Sequence, residues 1–537
     1  MNKGVVLTEM RCEVLVVGGG LGGVAAALGA LRMGRSVILT EEFDWLGGQL
    51  TSQAVPPDEH SWVEQFGVTA SYRALRDGIR DYYRRFYPLT ASAARERHLN
   101  PGAGWVSPLC HEPRVAVAVI EAMLAPYRGS GALTVLQPYR PVAAEMDGDR
   151  VRAVRLTGPD DIWVTAPYVL DATETGDLLP LTGTEYVTGF ESRAETGEPS
   201  SPDVAQPDNM QAVSVCFAVD HLDGDRTIDK PAGYDYWRSY TPDCWPGPLL
   251  SWRTPNPRTL EVTERGFTPN PDDDPLTVRA DQRVNPGDGN LWTFRRIAAR
   301  RQFTDGAYPS DITIVNWPMI DYFESPVIDV PDPAAGFRRA RELSRSVFYW
   351  LQTEAPRPDG GTGFPGLRLR GDVTGGTDGL AQAPYIRESR RIRAEYTVVE
   401  QDLSLAVRGE KGAVRYPDAV GVGMYRIDLH PSTGGDTYID VAACPFEIPL
   451  GALLPRRVTN LLPAGKNIGT THITNGSYRL HPVEWNVGEV AGLLADFCLS
   501  RGVPPRAVRD TPGLLAEFQD RLTGNGVELH WPDVAGY

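Results

Sequence analysis

The residues with the clearest chemical purpose form one short run, Gly18-Gly19-Gly20-Leu21-Gly22-Gly23, followed eighteen residues on by an acid, Glu41. Gly18 can make a tight turn, Gly20 removes the side chain that would block a pyrophosphate, and Gly23 lets a helix lie close to a strand. Glu41 stands where a carboxylate accepts hydrogen bonds from both hydroxyls of an adenosine ribose. The spacing specifies a dinucleotide site. A second set of residues suits proton transfer. There are eight histidines, and imidazole is the natural base near neutral pH. His430 follows Tyr425-Arg426-Ile427-Asp428-Leu429, an alternating run that as a strand places 426, 428 and 430 on one face. His472 and His481 flank Asn475-Gly476-Ser477-Tyr478-Arg479, and the His481-Pro482 pair reads as structural, a fixed turn before a helix. A third set suits anions. On a helix Arg387 and Arg391 share a face at i, i+4, so their guanidinium groups could clamp a carboxylate or phosphate. The alternative for the same residues is an internal salt-bridge network with Glu388 and Glu395. Arg479 is a further anchor candidate.

These groups need a scaffold, and the neighbouring residues supply one. Cys12–Val17 is a β-branched run of the kind buried on both faces of a parallel sheet, Val24–Met33 is a small-residue helix ended by Gly34, and Ser36–Thr40 is the next strand. The helix N-terminus directs unpaired N–H groups and a positive dipole end at the phosphates. Val169-Leu170-Asp171-Ala172-Thr173 ends a strand in polar and small residues, as expected where ligands sit at the carboxyl edge of such a sheet. Asp147-Gly148-Asp149 reads as a hairpin turn between two strands of a β-meander, and Arg114–Leu124 as a helix with Pro113 in its first turn.

A second glycine doublet, in Asp44-Trp45-Leu46-Gly47-Gly48-Gln49, lets backbone approach the same pyrophosphate from the other side. FAD enzymes commonly carry such a doublet, and nicotinamide enzymes do not need it. Near the other end, Asn460-Leu461-Leu462-Pro463-Ala464-Gly465-Lys466-Asn467 is a strand running into a glycine turn, and Trp485–Gly492 begins a helix with closely spaced small residues. With the runs Asp171–Leu178 and Tyr385-Ile386-Arg387-Glu388-Ser389-Arg390-Arg391, the pair Asp428 and His430, and Ile448-Pro449-Leu450, the chain resembles the FAD-dependent oxidoreductases in which one glutathione-reductase-like FAD domain, split across both ends, encloses a substrate domain. The resemblance implies an α/β fold, a Rossmann-like parallel sheet with helices and a β-meander, and an inserted α+β substrate domain. It implies FAD bound by Gly18, Gly20, Leu21, Gly23, Glu41, Gly47, Gly48, Gln49, Asp171, Ala172, Gly465 and Gly488. It raises His430 and His472 above the other histidines as the base, with Arg387, Arg391 and Arg479 toward substrate. The expected reaction removes a hydride from a polar, carboxylate-bearing small molecule and passes electrons to oxygen or an external acceptor. Two alternatives stay open: a monooxygenase or reductase using free NAD(P)H, and a redox-silent FAD protein.

Expected boundaries are 1–183 for the first part of the FAD domain with a helical insertion at 52–105, 184–440 for the substrate domain, 441–500 for the second FAD part and 501–537 for a C-terminal extension. The arginines and tyrosines of the insertion read as a solvated amphipathic helix. Ala212–Val219 reads as a strand, 336–354 as an amphipathic helix, and 254–290 as a long surface loop. No second glycine fingerprint follows a strand, so a built-in NAD(P)H domain is not expected. A formal charge of −16 argues against nucleic acid or an anionic membrane as partner. The six cysteines form no CxxC pair and no metal set, and no apolar window is long enough to span a bilayer. These features favour a cytoplasmic protein acting on a small molecule, with homo-oligomerisation left open.

Overall fold

The computed structural model describes residues 8–274 and 289–537. Along the first part of the chain lie β1 (Thr8–Arg11), β2 (Val14–Val17), α1 (Leu21–Arg32), β3 (Val37–Thr40), α2 (Ala70–Phe86), the helix Pro113–Ser130, β4 (Leu133–Leu136), β5 (Arg140–Asp147), β6 (Arg150–Thr157), β7 (Asp161–Thr165) and β8 (Tyr168–Asp171). All residues of β2, β3 and β8 are buried, as strands covered on both faces must be. They stand in a five-stranded parallel sheet in the order Leu461–Pro463, β8, β2, β3, β4. Leu461 pairs with Val169, so residues from opposite ends of the chain meet in one sheet. β5, β6 and β7 form the expected antiparallel meander, with β1 added in parallel to β7. The turn between β5 and β6 holds Gly148 at φ 58°.

Small residues set how α1 meets the helix His481–Arg501. A Cβ on Gly488 would lie 1.9 Å from the Gly22 carbonyl oxygen, and one on Gly492 would lie 2.1 Å from that of Ala26. Gly488, expected to face the flavin, is therefore turned onto α1 and brings the two backbones into contact. The helix also begins at His481 with Pro482 in its first turn, four residues before the expected start at Trp485. Gly488→Ala is expected to cost roughly 3 kcal/mol of stability, because neither backbone can move aside. Urea unfolding checks this, and an unchanged midpoint would contradict it.

The middle of the chain builds a four-stranded antiparallel sheet in the order Arg296–Ala298, Ile312–Val315, Phe217–His221, Leu367–Leu369. The expected helix is present as Pro333–Thr353 and packs Phe348 against Phe217 at 5.8 Å. The expected strand 212–219 is broken into Val213–Ser214 and Phe217–His221, which pair with different partners. Within 254–274 there is a small hairpin, Arg253–Pro255 with Val262–Glu264, rather than a plain loop. The rest of that expected loop, 275–288, lies outside the described residues.

In the insertion, α2 is amphipathic, but two of its arginines are not solvated as expected. Arg76 and Arg80 are each 2 % exposed, Arg76 pairing with Glu59 and Glu64 and Arg80 with Glu64. Five donors in a planar fork let arginine satisfy a buried carboxylate cluster, which helical periodicity alone does not reveal. Residues 501–537 are mostly exposed or half-buried and are pinned to the body by a few buried side chains, among them Phe518, Leu522 and Trp531. Trp531 donates to the carbonyls of Gly423 and Phe446 and stacks edge-on against His60. Among the described residues no helix is long and apolar enough to cross a membrane, and no acid, histidine and cysteine cluster could hold a metal.

Candidate active site and cofactor cradle

Gly18 lies at φ 97°, and a Cβ there would sit 2.4 Å from the Ala172 carbonyl oxygen. Only glycine fits this turn. Its N–H donates to Thr40 Oγ1 at 3.1 Å. A Cβ on Gly23 would lie 2.0 Å from the Gly18 carbonyl oxygen, which is the close helix–strand approach its position predicted. Gly47 donates its N–H to the Gly19 carbonyl at 2.8 Å, and Gly48 lies against the Gly20 backbone. The two glycine segments thus form one continuous cradle at the start of α1, where Leu21 is fully buried.

Beside the cradle is a cavity of about 300 Å³ lined by Gly18, Gly20, Glu41, Ala172, Thr173 and Glu174, among others. Glu41 is at its edge, with Oε2 accepting from the Gly19 N–H at 3.0 Å and Oε1 from the Phe43 N–H at 2.9 Å. Burial, with Glu174 adding to it, pushes the Glu41 carboxyl up to about 8. Hydroxyl donors of a ribose would satisfy this poorly solvated carboxylate. Asp171 does not line the cavity. Its Oδ1 accepts from the Thr173 N–H and Oγ1 and shapes the strand end, while its backbone carbonyl holds Ala464 and Asn467. Asp171 therefore carries the turn and Ala172 the contact surface.

The C-terminal glycine turn arrives at the same place. Lys466 is buried and paired with Glu174 and, at 3.5 Å, with Glu484. Glu484 in turn accepts from Gln49 and from the Gly22 N–H. Gln49 also donates to the Arg479 carbonyl at 2.9 Å, leaving its own Oε1 without a hydrogen bond. Gly465 has open space beside it, with Glu484 Oε1 at 3.6 Å from a built Cβ. A cradle that tolerates no Cβ at Gly18 or Gly48, an acid at the ribose position and the unpaired amide oxygen of Gln49 fit the dinucleotide end of FAD. Glu174 is the side chain nearest a Cβ built on Gly20, and as a flexible terminus it can turn aside with its Lys466 partner.

Beyond Gln49 lies a buried polar cluster. Arg479 donates to the Tyr385 hydroxyl at 2.6 Å and pairs with Asp428 at 3.1 Å. Arg387 stacks over the Tyr385 ring at 4.7 Å and pairs with Asp321 at 3.0 Å. His430 Nδ1 is 2.7 Å from the other Asp321 oxygen, and its Nε2 is 3.8 Å from Asp428. The short strand Ile427–Leu429 ends before His430, and the Asp428 and His430 side chains come together 3.8 Å apart. His472 belongs to a neighbouring group: Nδ1 is 2.9 Å from Glu388, and the ring packs on Phe190 at 4.0 Å. His430 retains 21 % side-chain exposure and His472 only 2 %.

The arginine run does not form a helix. Residues 386–390 are irregular, and Arg391–Ile392 is a two-residue strand. Arg391 is consumed by Glu388, Glu191 and the carbonyls of Gly189 and Thr470. Arg387 gives Nη1 to Ala212 and Ser214. The salt-bridge alternative describes both residues, although Glu395 pairs elsewhere, with Arg506. Sequence reading missed Asp321, Tyr385, Lys466, Glu174 and Glu484. Glu174 and Lys466 stand inside the runs that carried the resemblance, whereas Asp321 sits in no motif and only the tertiary fold brings it to His430.

Two carboxylates in this region are held low. Burial works to raise Asp321, but Arg387 and His430 keep it at about 2; burial likewise opposes Glu388, which His472 and Arg391 keep at about 2. A depressed carboxylate contributes stability that is present above its unfolded value and lost as pH falls through the folded one. Stability is therefore expected to fall between roughly pH 4.5 and pH 2 by on the order of 3 kcal/mol per group. Urea midpoints across that range check this, and Glu388→Gln should remove one group's share of the slope. An equally steep slope in the variant would refute it.

The chain resembles several solved structures at low identity. They include OxyS anhydrotetracycline hydroxylase from Streptomyces rimosus (12 % identity, 96 % of this chain and 66 % of that one, TM-score 0.33) and L-proline dehydrogenase from P. horikoshii (16 %, 35 % and 26 %, TM-score 0.18). Sdh1 from Mycobacterium smegmatis, in complex with UQ1, is a third (11 %, 39 % and 46 %, TM-score 0.24). The chain covers less than half the length of the last two. No curated protein matches it. The FAD dependent oxidoreductase family model matches residues 13–522. Nearly the whole chain is covered, including the cradle, Glu41, the His430 cluster and the C-terminal glycine turn, and the protein belongs to that family of FAD-dependent oxidoreductases.

Proposed function

We propose that the protein oxidises a polar, carboxylate-bearing small molecule by taking a hydride from a C–H bond whose neighbouring O–H or N–H gives up a proton. Bound FAD supplies the two-electron acceptor, and electrons leave to oxygen or an external acceptor. The observation that carries the reading is the Asp321–His430 pair, 2.7 Å apart, with the imidazole partly open and connected through Asp428, Arg479 and Gln49 to the glycine cradle. His430 accepts the substrate proton at Nε2, the atom not turned to Asp321. Asp321 orients the ring and stabilises the imidazolium that forms, as a buried carboxylate does for a catalytic histidine. Tyr385 and Arg479, hydrogen-bonded to each other, are held beside the imidazole through Asp428. His472, sealed between Glu388 and Phe190, organises the arginine network instead.

The division at 183, 440 and 500 belongs to the same proposal: both chain ends hold cofactor, and the intervening segment supplies Asp321, Tyr385 and His430. The test is anaerobic titration of the purified flavoprotein with hydroxy acids, amino acids and sugars, following loss of flavin absorbance. Bleaching by an acid-bearing substrate supports the reading. Bleaching by NADPH alone, with the substrate panel silent, would replace it with the reductase or monooxygenase alternative.

A further inference from the structure

We infer that Arg295 anchors the carboxylate of the substrate, which deepens the reading under Proposed function and rests on it. Arg295 follows the short helix Leu291–Phe294 and leads into the strand Arg296–Ala298. Its Nε and Nη1 are buried and make no hydrogen bond among the described residues. The nearest acid is Asp58, with Oδ1 3.8 Å from Nη1, beyond hydrogen-bond range. The two side chains are 12 % and 8 % exposed, so each keeps a small accessible face although both lie inside the protein.

The other arginines of the region are more fully engaged, although Arg387 Nε and Arg479 Nε also make no hydrogen bond among the described residues. Arg391 uses all three guanidinium nitrogens on protein acceptors, Arg387 is tied to Asp321, Ser214 and Ala212, and Arg479 gives both terminal nitrogens to Tyr385 and Asp428. A guanidinium out of water with unmet donors is costly, and a carboxylate meeting it edge-on satisfies two donors at once. Arg295 is also placed for that role. Its carbonyl accepts from the Ile314 N–H at 3.0 Å, and the strand holding Ile314 pairs with Phe217–Val219, three residues after Ser214, whose hydroxyl donates to Asp321 at 2.6 Å. Asp58 donates its backbone N–H to His481 Nδ1 at 3.0 Å, which ties the arginine's acidic neighbour to the start of the helix that crosses α1. Tyr425, Tyr385, Cys216, His481 and Asp58 are among its titratable neighbours. Asp58 balances its charge in the resting protein without occupying its fork.

The experiment titrates FAD-loaded protein with benzoate and acetate, and with benzamide and acetamide as neutral controls. Binding is read by calorimetry and by perturbation of the flavin absorbance, with no turnover needed. Carboxylates are expected to bind the wild type, Arg295→Gln to weaken them by about 30-fold or more, and Arg295→Lys to fall between, while amide affinities stay equal in all three. Should Arg295→Gln fail to fold, Arg295→Lys against wild type carries the comparison. Unchanged carboxylate affinity in the variants overturns the inference. So does a lowered flavin midpoint potential with carboxylate affinity intact, since the arginine would then serve the reduced flavin. A yellow protein that ignores every carboxylate overturns this inference and the carboxylate part of the proposed substrate, and leaves hydride removal from another polar molecule standing. Carboxylates held through Arg295 in a protein that no substrate reduces would overturn the proposed reaction and leave the anchor standing.

Discussion

Gly20→Glu is expected to purify colourless and to stay so when FAD is added, with affinity reduced by at least about three orders of magnitude. The argument is one of space and charge, not of backbone conformation. Gly20 caps α1 at φ −60° and ψ −174°, an extended geometry open to any residue. A Cβ there would stand 2.7 Å from Glu174 Oε1, the end of a flexible side chain that can give way. Gly20→Ala should therefore keep partial FAD binding by displacing Glu174. Glutamate instead adds a second carboxylate at the helix N-terminus where the pyrophosphate approaches, beside Glu174 and the already crowded Glu41. Gly18→Ala would be a poorer test, because φ 97° and the Ala172 carbonyl at 2.4 Å would disturb the fold itself. Visible absorbance and the flavin-to-protein ratio give the answer, with circular dichroism confirming the fold. A yellow, folded Gly20→Glu protein would sink the assignment of this turn to the pyrophosphate.

The parts of the molecule that were legible in advance are those whose cause is local. The run from Cys12 to Glu41 announces strand, turn, helix and strand because each step depends on neighbours in sequence: β-branched residues for burial on two faces, glycine for a left-handed turn, alanine for a helix. Gly148 in the meander turn and Pro113 at a helix start are equally local. What escaped was set by distant contacts. Arg76 and Arg80 have the spacing of a solvated helical face, yet Glu59 and Glu64 draw them inside. Arg387 and Arg391 have the spacing of a helix, yet Asp321 pulls one and Glu388 and Glu191 the other from an irregular backbone. Gly488 looked like a ligand-facing glycine because close approach to another backbone and close approach to a cofactor demand the same residue. The site followed the same division: the cradle glycines were legible, whereas Arg295 and Asp321 carry no local signal and acquire one only when the middle of the chain folds over its two ends.

His430→Asn is expected to slow anaerobic flavin reduction by about 10²–10⁴-fold while leaving FAD content and substrate affinity close to wild type. Asparagine keeps a polar group near Asp321 but cannot take a proton, so the loss falls on the chemical step. Asp321→Asn separates orientation from proton transfer. It leaves the imidazole in place but removes the charge that supports the imidazolium, and it strands Arg387 beside a neutral amide. That variant should lose both rate and stability, whereas His430→Asn should lose rate alone. His472→Asn is the necessary comparison, since its ring is sealed against Phe190 and its partner is Glu388. It should reduce stability with only a small effect on the reduction rate. If His472→Asn proved slow and His430→Asn fast, the base would lie in the Glu388 network, and the half-open imidazole beside Asp321 would be an ordinary structural contact.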